Sequence, residues 1–397
     1  MVNPKTGERE LAYIVTIDDI NPIPGYDRVE HATVLGWRVI VQKDQFKVGD
    51  LAIYIEIDSK CPATEQFAFL EKRHYAVKTI KMCKVLSQGL LMSLSDFGWT
   101  PEDHPLGTCV SKELGITYND PEDNRRKAPS PDKYKVMADQ HKKLFKNPFF
   151  KWLLAKPWGR KLLFAFFGKK AKKKTWPSWV VKTDEIRVQN MPWIVDNKDR
   201  WIATEKIDGT STTFTLHKGK FGKRDFYVCS RNVVFDKPNK ECYYDTNVYL
   251  EMADKYNVKK VLNTLMDHAD KFATDSLGKI VFITLQGETY GDGIQKRDYG
   301  TKEHKFAAFN LIYGFEKETI RFDSIRMTNT LKPYNIPSVP IVNKAYSMPG
   351  TVDEILAYAD GVSEIDGGMR EGLVFRTLDG KNSFKAVSNE YLLKYHG

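Results

Sequence analysis

The stretch Trp201-Ile-Ala-Thr-Glu-Lys-Ile-Asp-Gly-Thr-Ser211 decides how the C-terminal half of this chain is interpreted. Ile202, Thr204 and Lys206 fall on one side of a short strand, because side chains alternate between the two faces. Asp208-Gly209 then ends the strand in a tight turn. Lysine has an ordinary pKa of about 10.4, so it acts as a nucleophile only where burial or a neighbouring cation lowers that pKa. Taken by itself, the pattern is more often a surface hairpin with a solvated lysine.

The composition is that of a basic, folded chain of 397 residues, which is long enough for two or three domains. Hydrophobic residues make up 42% and aromatic residues 12%, which excludes wholesale disorder. The formal net charge of +10 favours a polyanionic partner, nucleic acid before membrane; a merely soluble basic protein is the alternative. No apolar run of about 18 residues is present, so no membrane span is predicted.

The cysteines favour a reducing environment. They are scattered, odd in number and without a Cys-x-x-Cys pair, which disfavours a zinc site and a disulfide framework. The N-terminus has no charged-then-apolar signal pattern. We therefore predict an intracellular protein, cytoplasmic or nuclear, and a monomer. The five cysteines are Cys61, Cys83, Cys109, Cys229 and Cys242.

Residues 1–120 predict a small β-rich domain. Val34–Val41 and Leu51–Ile57 are strand-like runs rich in β-branched and aromatic residues. Lys78, Lys81 and Lys84 then alternate with apolar residues. Short strands that carry basic residues fit a small barrel of the oligonucleotide-binding (OB) type. A purely structural barrel with exposed lysines is the alternative.

Residues 121–175 form a basic insert. Arg125-Arg126-Lys127 opens it and Lys169–Lys174 closes it, around a helical pattern over Phe149–Phe167 that Pro157 and Gly159 are expected to break. A linker helix packed between domains is the favoured interpretation. A basic arm that follows phosphates is the next, and a membrane-surface amphipathic helix is the third.

Residues 176–397 predict a mixed domain of strands and helices that holds the chemistry of nucleotidyl transfer. Such transfer needs a nucleophile, a metal on the phosphates, further cations and a flat surface for the base. Carboxylates at strand ends suit Mg²⁺, and a phenyl ring suits a purine. Strand alternation is expected to place Glu371 on one side with Leu373 and Phe375. Singly, each of these residues is more often an ordinary surface residue. The candidates are the nucleophile Lys206, the carboxylates Glu288 and Glu371, the cations Arg231 and Lys385, and the ring of Phe309.

The order of these motifs resembles that of the covalent nucleotidyltransferases, which comprise DNA ligases, RNA ligases and mRNA capping enzymes. The motifs are Lys206-x-Asp-Gly, Ser230-Arg231-Asn232, Gln286-Gly287-Glu288, Phe306-Ala-Ala-Phe309, Glu371–Arg376 and Ser383-Phe-Lys385. Further motifs are similar to one ATP-dependent, nick-sealing RNA ligase family with an N-terminal OB-like domain. These are Pro22–Gly25, Gly36-Trp37, Val48–Asp50, Glu56–Asp58, Ser87–Leu90, Thr183–Arg187 and Gln189-Asn190.

The resemblance implies an α+β fold in three parts. These are an N-terminal small β-barrel (OB-like) domain over 1–120, the basic insert over 121–175, and an adenylyltransferase domain of antiparallel sheets and helices over 176–397. Lys206 would attack the α-phosphate of ATP and form lysyl-AMP. Glu288 and Glu371 would position Mg²⁺, for which Mn²⁺ could substitute. Lys385 would contact the α-phosphate and help to keep the Lys206 amine deprotonated. Many members outside this branch carry a second lysine where Ser383 stands.

The remaining implied roles concern the nucleotide and the ends to be joined. Glu205 would help to read the adenine and Phe309 would stack on it. Gly209 belongs to the nucleotide-binding turn. Asp208 and Arg231 would lie near the ribose, the phosphates and the incoming 3'-OH.

The resemblance predicts an AMP-forming RNA ligase that seals nicked duplexes with an RNA 3'-OH strand, in RNA repair. DNA ligases and capping enzymes of the usual architecture place an OB domain after the last motif, whereas here only nine residues follow Ser388. A DNA ligase is the second interpretation. A nucleic-acid-binding protein on a ligase scaffold without catalysis is the third, and it is disfavoured by the intact motif residues.

Overall fold

The computed structural model describes residues 1–3, 6–119, 134, 137–138, 141, 144–167, 176–235, 244, 246–271 and 276–396. The basic runs at 125–127 and 169–174 and Cys242 lie outside these residues. The chain divides into two compact units, Met1–Tyr118 with Trp176–Gly397, and Asn119–Thr175. Among the described residues the four cysteines, 61, 83, 109 and 229, form no disulfide with one another. Every helix within the described ranges is too short or too polar to cross a membrane.

The N-terminal region is built from short antiparallel strands. The strands are β1 (Ala12–Thr16), β2 (Asp19–Ile23), β3 (Tyr26–Val34), β4 (Trp37–Gln42), β5 (Leu51–Ile55), β6 (Ser59–Lys60), β7 (Ala76–Val77), β8 (Ile80–Met82), β9 (Val85–Ser87), β10 (Leu90–Ser93) and β11 (Thr117–Tyr118). They form the sheets β1-β5-β10, β2-β3-β4 and β11-β6-β7 and the hairpin β8-β9. The predicted run Val34–Val41 is divided between two strands, because Leu35 and Gly36 turn the chain with φ of 48° and 75°.

The unit Asn119–Thr175 contains a helical hairpin of α1 (Pro148–Ala155) and α2 (Pro157–Phe167). The Asn147 side chain caps the first helix by accepting a hydrogen bond from the Phe149 backbone. Pro157 separates the helices as expected, since proline is accepted in the first turn of a helix. The prediction that Gly159 breaks the helix is wrong. Gly159 lies within α2, and a Cβ there would stand 2.1 Å from the Leu153 carbonyl oxygen, so glycine permits the close approach of the two helices.

The C-terminal region consists of two antiparallel sheets with helices. The strands are β12 (Trp201–Lys206), β13 (Thr210–Lys218), β14 (Arg224–Cys229), β15 (Val234–Phe235), β16 (Ile280–Tyr290), β17 (Lys305–Phe315), β18 (Thr319–Arg321), β19 (Ile341–Tyr346), β20 (Gly372–Thr377) and β21 (Ser383–Val387). The six-stranded sheet has the order β15-β14-β13-β16-β17-β18, and the four-stranded sheet has the order β19-β12-β20-β21. The helices are α3 (Val248–Lys255), α4 (Val258–Lys271), α5 (Ser324–Leu331), α6 (Val352–Ala359) and α7 (Asn389–Tyr391), which continues as the π-helical turn Leu392–His396.

Each sheet has its own apolar core. Val261, Leu262 and Leu265 on one face of α4 are buried in the cluster that covers the six-stranded sheet. Trp201, Phe375 and Phe384 form the core of the four-stranded sheet. The mixture of antiparallel sheets and helices confirms the predicted α+β class.

Candidate active site

The four-stranded sheet brings Lys206 and Glu371 into direct contact. Lys206 ends β12 and pairs in register with Gly372, the first residue of β20. The Lys206 ammonium donates hydrogen bonds to both carboxylate oxygens of Glu371, at 2.7 and 2.8 Å. The Lys206 side chain is about one quarter exposed. The amine is therefore partly shielded, but it remains accessible from solvent.

Strand alternation places Glu371 on the same side as Leu373 and Phe375, and this expectation is wrong. Leu373 and Phe375 point into the apolar core, whereas Glu371 contacts Lys206 on the other face. The reason is that Glu371 precedes β20, so the alternation within that strand does not extend to it. The Glu371 carbonyl oxygen instead accepts a hydrogen bond from the Ser388 backbone. The position of Glu371, next to the start of β20 and the end of β21, therefore orients its carboxylate.

Carboxylates dominate the surroundings of Lys206. Burial acts to lower the pKa of Lys206, but the charges of Glu371 and Glu288, the hydrogen bonds to Glu371 and the charge of Asp208 together raise that pKa above its ordinary value. Among the protein's own groups, the amine is therefore held as an ammonium ion. The expectation that Lys385 helps to keep this amine deprotonated stays a prediction, because the carboxylates dominate this charge balance.

Glu288 faces the same point from the other sheet. It lies near the end of β16, between Ser211 on β13 and Ala307 on β17. Burial raises the pKa of its carboxyl group to about 8; the Lys206 charge lowers the pKa, and the charges of Glu371 and Asp208 raise it further. A group of carboxylates that disfavours a further negative charge is a place where a cation is stabilised.

Lys385 shows the opposite shift to Lys206. It lies on β21 opposite Val374, and its backbone N–H donates to the Ile186 carbonyl oxygen at 2.8 Å. Burial lowers the pKa of Lys385 to about 8, and the charges of Lys206 and Arg187 lower it as well. At pH 7 about one Lys385 side chain in ten is therefore uncharged, a far larger share than for an ordinary lysine.

The turn after Lys206 is fixed by close contacts on both sides. A Cβ at Gly209 would lie 2.3 Å from the Thr289 carbonyl oxygen and 2.9 Å from Cγ of Glu288, so only glycine fits. The Asp208 backbone N–H donates to the Tyr299 hydroxyl at 2.7 Å. The Tyr391 hydroxyl donates to Oδ2 of Asp208 at 3.0 Å. These contacts hold the Asp208 carboxylate in one orientation beside the lysine.

Glu205 and Phe309 lie beside this charged cluster. The Glu205 carboxylate is buried, where it accepts hydrogen bonds from the Ser363 hydroxyl at 2.5 Å and from the Glu364 backbone at 2.9 Å. Burial raises the pKa of Glu205. Phe309 packs at the edge of a small apolar cluster composed of Ile207, Tyr290, Tyr299, Ala307, Val339 and Ile365.

Arg231 is held at the edge of the site. Its guanidinium donates to Asp184 at 2.5 Å, and both side chains are more than half exposed. The Asp184 charge also acts on Lys385, whose pKa it raises. The structure therefore connects Arg231 to the cluster through its ion pair with Asp184.

Comparisons with known proteins agree with this geometry. Residues 199–395 match the RNA ligase family, and residues 11–94 match an OB-fold domain family. The structure of Naegleria gruberi RNA ligase with PPi superimposes with a TM-score of 0.62 at 26% identity, over 98% of this chain and 99% of that one. A mutant of that ligase with ATP and Mn gives a TM-score of 0.64 at 26% identity, over 97% and 99%. No curated protein sequence matches the chain.

The chain belongs to the RNA ligase family. This confirms the predicted family and the predicted enzyme class, an ATP-dependent RNA ligase. The N-terminal OB-fold domain of the ligase is confirmed as well. Among the described residues, however, its strands form several small sheets and not one closed barrel.

Several residues of the ligase site were missed by the sequence analysis. Tyr299 and Tyr391 lie outside every motif, and no spacing marks them as contacts of Asp208. Arg376 was noted only as the end of a motif. It donates to Glu185 at 2.6 Å and to the Phe309 carbonyl oxygen at 3.3 Å. The Thr183–Arg187 motif was the available signal for this part of the site.

Ser383 belongs to the same network in the ligase. Its hydroxyl donates to the second carboxylate oxygen of Glu185, whose first oxygen is paired with Arg376. The side chain at the position of the second family lysine is therefore hydrogen-bonded to an acid that already neutralises an arginine. Lys385 is left as the only lysine of that motif.

Proposed function

We propose that this ligase joins 3'-OH and 5'-phosphate ends at nicks in duplexes whose 3'-OH strand is RNA, as an RNA repair enzyme. The observation that carries the proposal is the convergence on Lys206 of three carboxylates and a second lysine. Glu371 contacts the amine directly, Glu288 and Asp208 act on its charge, and Lys385 is close enough for the two ammonium charges to repel. An ordinary surface hairpin has no reason to concentrate these groups.

The proposed reaction has three steps, and the Lys206 amine takes up and releases one AMP in each cycle. The neutral Lys206 amine forms a bond to the α-phosphorus of ATP, the bond to the β-phosphate oxygen breaks, and pyrophosphate leaves. An oxygen of the 5'-phosphate then takes the AMP from Lys206, so that the amine is regenerated. Finally the 3'-OH attacks the activated 5'-phosphate, loses its proton and displaces AMP. Each step exchanges one phosphorus bond for another, and no oxidant or reductant is required.

The acidic groups of the site fit a divalent cation. Glu288 and Glu371 supply carboxylate oxygens from two different sheets, and the raised pKa of Glu288 shows that a further negative charge is disfavoured there. Within the described residues no group of three or more His, Cys, Asp and Glu could hold a metal. Magnesium commonly takes one or two carboxylates and completes its shell with phosphate oxygens and water. Such an ion would compete with Lys206 for the Glu371 carboxylate and would thereby lower the pKa of the nucleophile.

Lys385 is suited to the developing phosphate charge. Its pKa of about 8 is low because it is buried beside the positive charges of Lys206 and Arg187. A phosphate oxygen nearby would raise that pKa and make Lys385 a cation where negative charge accumulates. In this proposal Lys206 loses its proton as the nucleotide binds, and the charging of Lys385 becomes complete.

The adenine is proposed to lie against Phe309. This ring borders an apolar cluster that includes Ile207, the residue directly after the nucleophile. The Arg376 guanidinium lies 5.9 Å from the centre of the Phe309 ring and fixes that side of the pocket. Glu205 is held by Ser363 and the Glu364 backbone, and we propose that its remaining acceptor capacity is used towards the base.

The nucleic acid is proposed to contact the OB-fold domain as well as the catalytic site. Lys78, Lys81 and Lys84 are exposed on and beside the hairpin β8–β9. Lys81 donates to the Leu393 carbonyl oxygen at 3.1 Å, in the turn that follows Tyr391. The basic hairpin therefore lies next to the segment that orients Asp208, and phosphates that reach the site can also meet these lysines.

Incubation with α-labelled ATP and Mg²⁺, followed by denaturation, tests the chemistry. The wild type should retain the label, and Lys206→Arg should not. Lys381→Arg is the control, because Lys381 is exposed in the turn between β20 and β21, and it should be labelled like the wild type. Absence of label in the wild type would leave only the binding-protein interpretation.

A panel of nicked duplexes with RNA or DNA on each side tests the substrate. The proposal requires sealing to depend on an RNA 3'-OH strand, because only RNA offers the 2'-OH and favours A-form geometry. Equal sealing of all-DNA nicks would make the protein a DNA ligase. The monomeric state and the cytoplasmic or nuclear location stay predictions, and sedimentation of the purified protein would test the first.

A further inference from the structure

The helical hairpin α1–α2 carries an apolar surface that no described residue of its own unit covers. Its small core is formed by Met137, Phe145, Leu153 and Leu163. A second apolar set is exposed, and we call it the aromatic face. It consists of Phe149, Trp152, Trp158, Leu162 and Phe166, which are 58%, 53%, 57%, 45% and 77% exposed. A contiguous exposed apolar surface of this kind marks an interaction site.

The spacing shows that the aromatic face is a continuous stripe. Trp158, Leu162 and Phe166 are four residues apart on α2, so they lie on one side of the helix. Phe149 and Trp152 stack with ring centres 6.2 Å apart, and Trp152 meets Trp158 edge to face at 6.4 Å. The stripe therefore extends from one helix to the other.

The charge around the stripe is of a single sign. From residue 140 to residue 183 the sequence has 13 lysines and arginines and neither aspartate nor glutamate. Within the hairpin Lys151, Lys156, Arg160 and Lys161 are all exposed. Within the described hairpin the charged residues that border the stripe are cations, so the stripe is complementary to a surface that is apolar inside and negatively charged outside.

The chemistry of the stripe favours a lipid surface over RNA. Bases stack on ring faces that are open and separate. Here the rings pack on one another, Lys156 lies 6.0 Å from the centre of the Trp152 ring, and the stripe includes the aliphatic Leu162. Trp, Phe and Leu bordered by Lys and Arg are instead the composition of helices that lie in the membrane interface.

We propose that the aromatic face docks this protein on the surface of an anionic phospholipid membrane. The helices have eight and eleven residues, well short of the ~20 that span a bilayer, so the hairpin lies in the plane of the interface. The aromatic face enters the acyl boundary while the lysines and arginines contact the headgroup phosphates. This segment lies between the residues matched by the two families, 11–94 and 199–395, so the proposal is independent of the catalytic one.

Cosedimentation of the full-length protein with vesicles tests the proposal. Binding should be strong to phosphatidylcholine vesicles that contain phosphatidylserine, weak to phosphatidylcholine alone, and reduced by added salt. The triple variant Trp158→Ser/Leu162→Ser/Phe166→Ser should bind the anionic vesicles at least about tenfold more weakly. Phe69→Ser is the matched control, because Phe69 is 60% exposed outside the hairpin, and it should bind like the wild type.

Two further measurements separate folding failure and other partners from lipid docking. The triple variant should retain the wild-type rate of labelling by ATP. In vesicles with brominated acyl chains, tryptophan fluorescence should be quenched, and Trp152→Phe/Trp158→Phe should keep binding but lose most of that quenching. The proposal is overturned if the wild type ignores anionic vesicles or if the triple variant binds them equally well. It is also overturned if the triple variant instead loses affinity for nicked duplex RNA or dissociates a dimer.

Discussion

The two lysine-bearing strand positions of the site have opposite electrostatics. Lys206 ends β12 against the Glu371 carboxylate, and the surrounding acids raise its pKa. Lys385 lies on β21 beside Arg187 and Lys206, and burial among cations lowers its pKa to about 8. By pKa alone, Lys385 would be the better nucleophile at neutral pH, although the family resemblance assigns that role to Lys206.

The difference shows that a nucleophile need not be activated by its permanent neighbours. Lys206 is held in an ion pair with Glu371, and a second cation bound to the Glu371 carboxylate would break that pair. Lys385 is neutral in a minor fraction of molecules at neutral pH, and a bound phosphate would raise its pKa and complete its charging. The metal and the nucleotide would then lower the pKa of Lys206 and raise the pKa of Lys385.

The largest expected effect comes from removing the nucleophile while keeping its charge. Lys206→Arg retains a cation for Glu371 but offers no amine that can be deprotonated near neutral pH. Labelling by ATP should fall by about 1,000-fold or more, as expected for loss of a covalent nucleophile. Lys385→Arg should label more slowly than the wild type but measurably. If the two variants lose labelling to the same extent, the comparison no longer distinguishes a nucleophile from a charge.

Glu371→Gln should remove both the ion pair and a metal oxygen. Labelling at neutral pH should fall by on the order of 100-fold, because the cation site is lost. The pH midpoint of the remaining activity should move to lower pH, since the carboxylate that raises the Lys206 pKa is gone. Glu390→Gln, an exposed glutamate, is the control. A midpoint that stays or rises in Glu371→Gln would contradict the charge balance described for Lys206.

Glu288 links the comparison to stability. Its pKa is raised from 4.5 to about 8, so the folded protein holds a proton there that the unfolded chain has lost between these pH values. The stability that comes from this protonated group is complete below about pH 4.5 and is lost as the pH rises through 8. Glu288→Gln should therefore increase the free energy of unfolding by roughly 5 kcal/mol at pH 8.5 and by nothing near pH 4.5. Chemical denaturation at the two pH values measures this. A gain at low pH alone would reverse the sign and refute the shift.

The smallest effect is expected at the hydroxyl that orients Asp208. Tyr391 is fully buried and donates to Asp208, so Tyr391→Phe removes one hydrogen bond at nearly constant volume. The rate of nick sealing should fall about fivefold with an unchanged KM for ATP. Tyr395→Phe, on the next turn, is the control and should seal like the wild type. A changed KM with an unchanged rate would place Tyr391 in nucleotide binding.

Much of this site could be predicted from linear order. Lys206, Glu288, Glu371 and Lys385 were identified because each lies in a motif at or near a strand end, and the antiparallel sheets bring these places together. Gly209 could be foreseen as a turn, but its role as the closest approach to Thr289 and Glu288 could not.

The failures have physical causes. Glu371 stands outside its strand, so alternation gave the wrong face. Gly159 lies within α2 although glycine has a low helix propensity, because the neighbouring helix leaves no room for a Cβ there. Helix propensity takes no account of such a contact. Tyr391 meets Asp208 across 183 residues of sequence, and only the fold makes them neighbours.

The most direct test of the central claim is to locate the AMP on the protein. The wild-type enzyme is labelled with α-labelled ATP and Mg²⁺, digested, and its peptides are examined by mass spectrometry. We predict that the adenylate is attached to the Lys206 side chain and that Lys385 is unmodified. An adenylate on Lys385, or on any residue other than Lys206, would contradict the account.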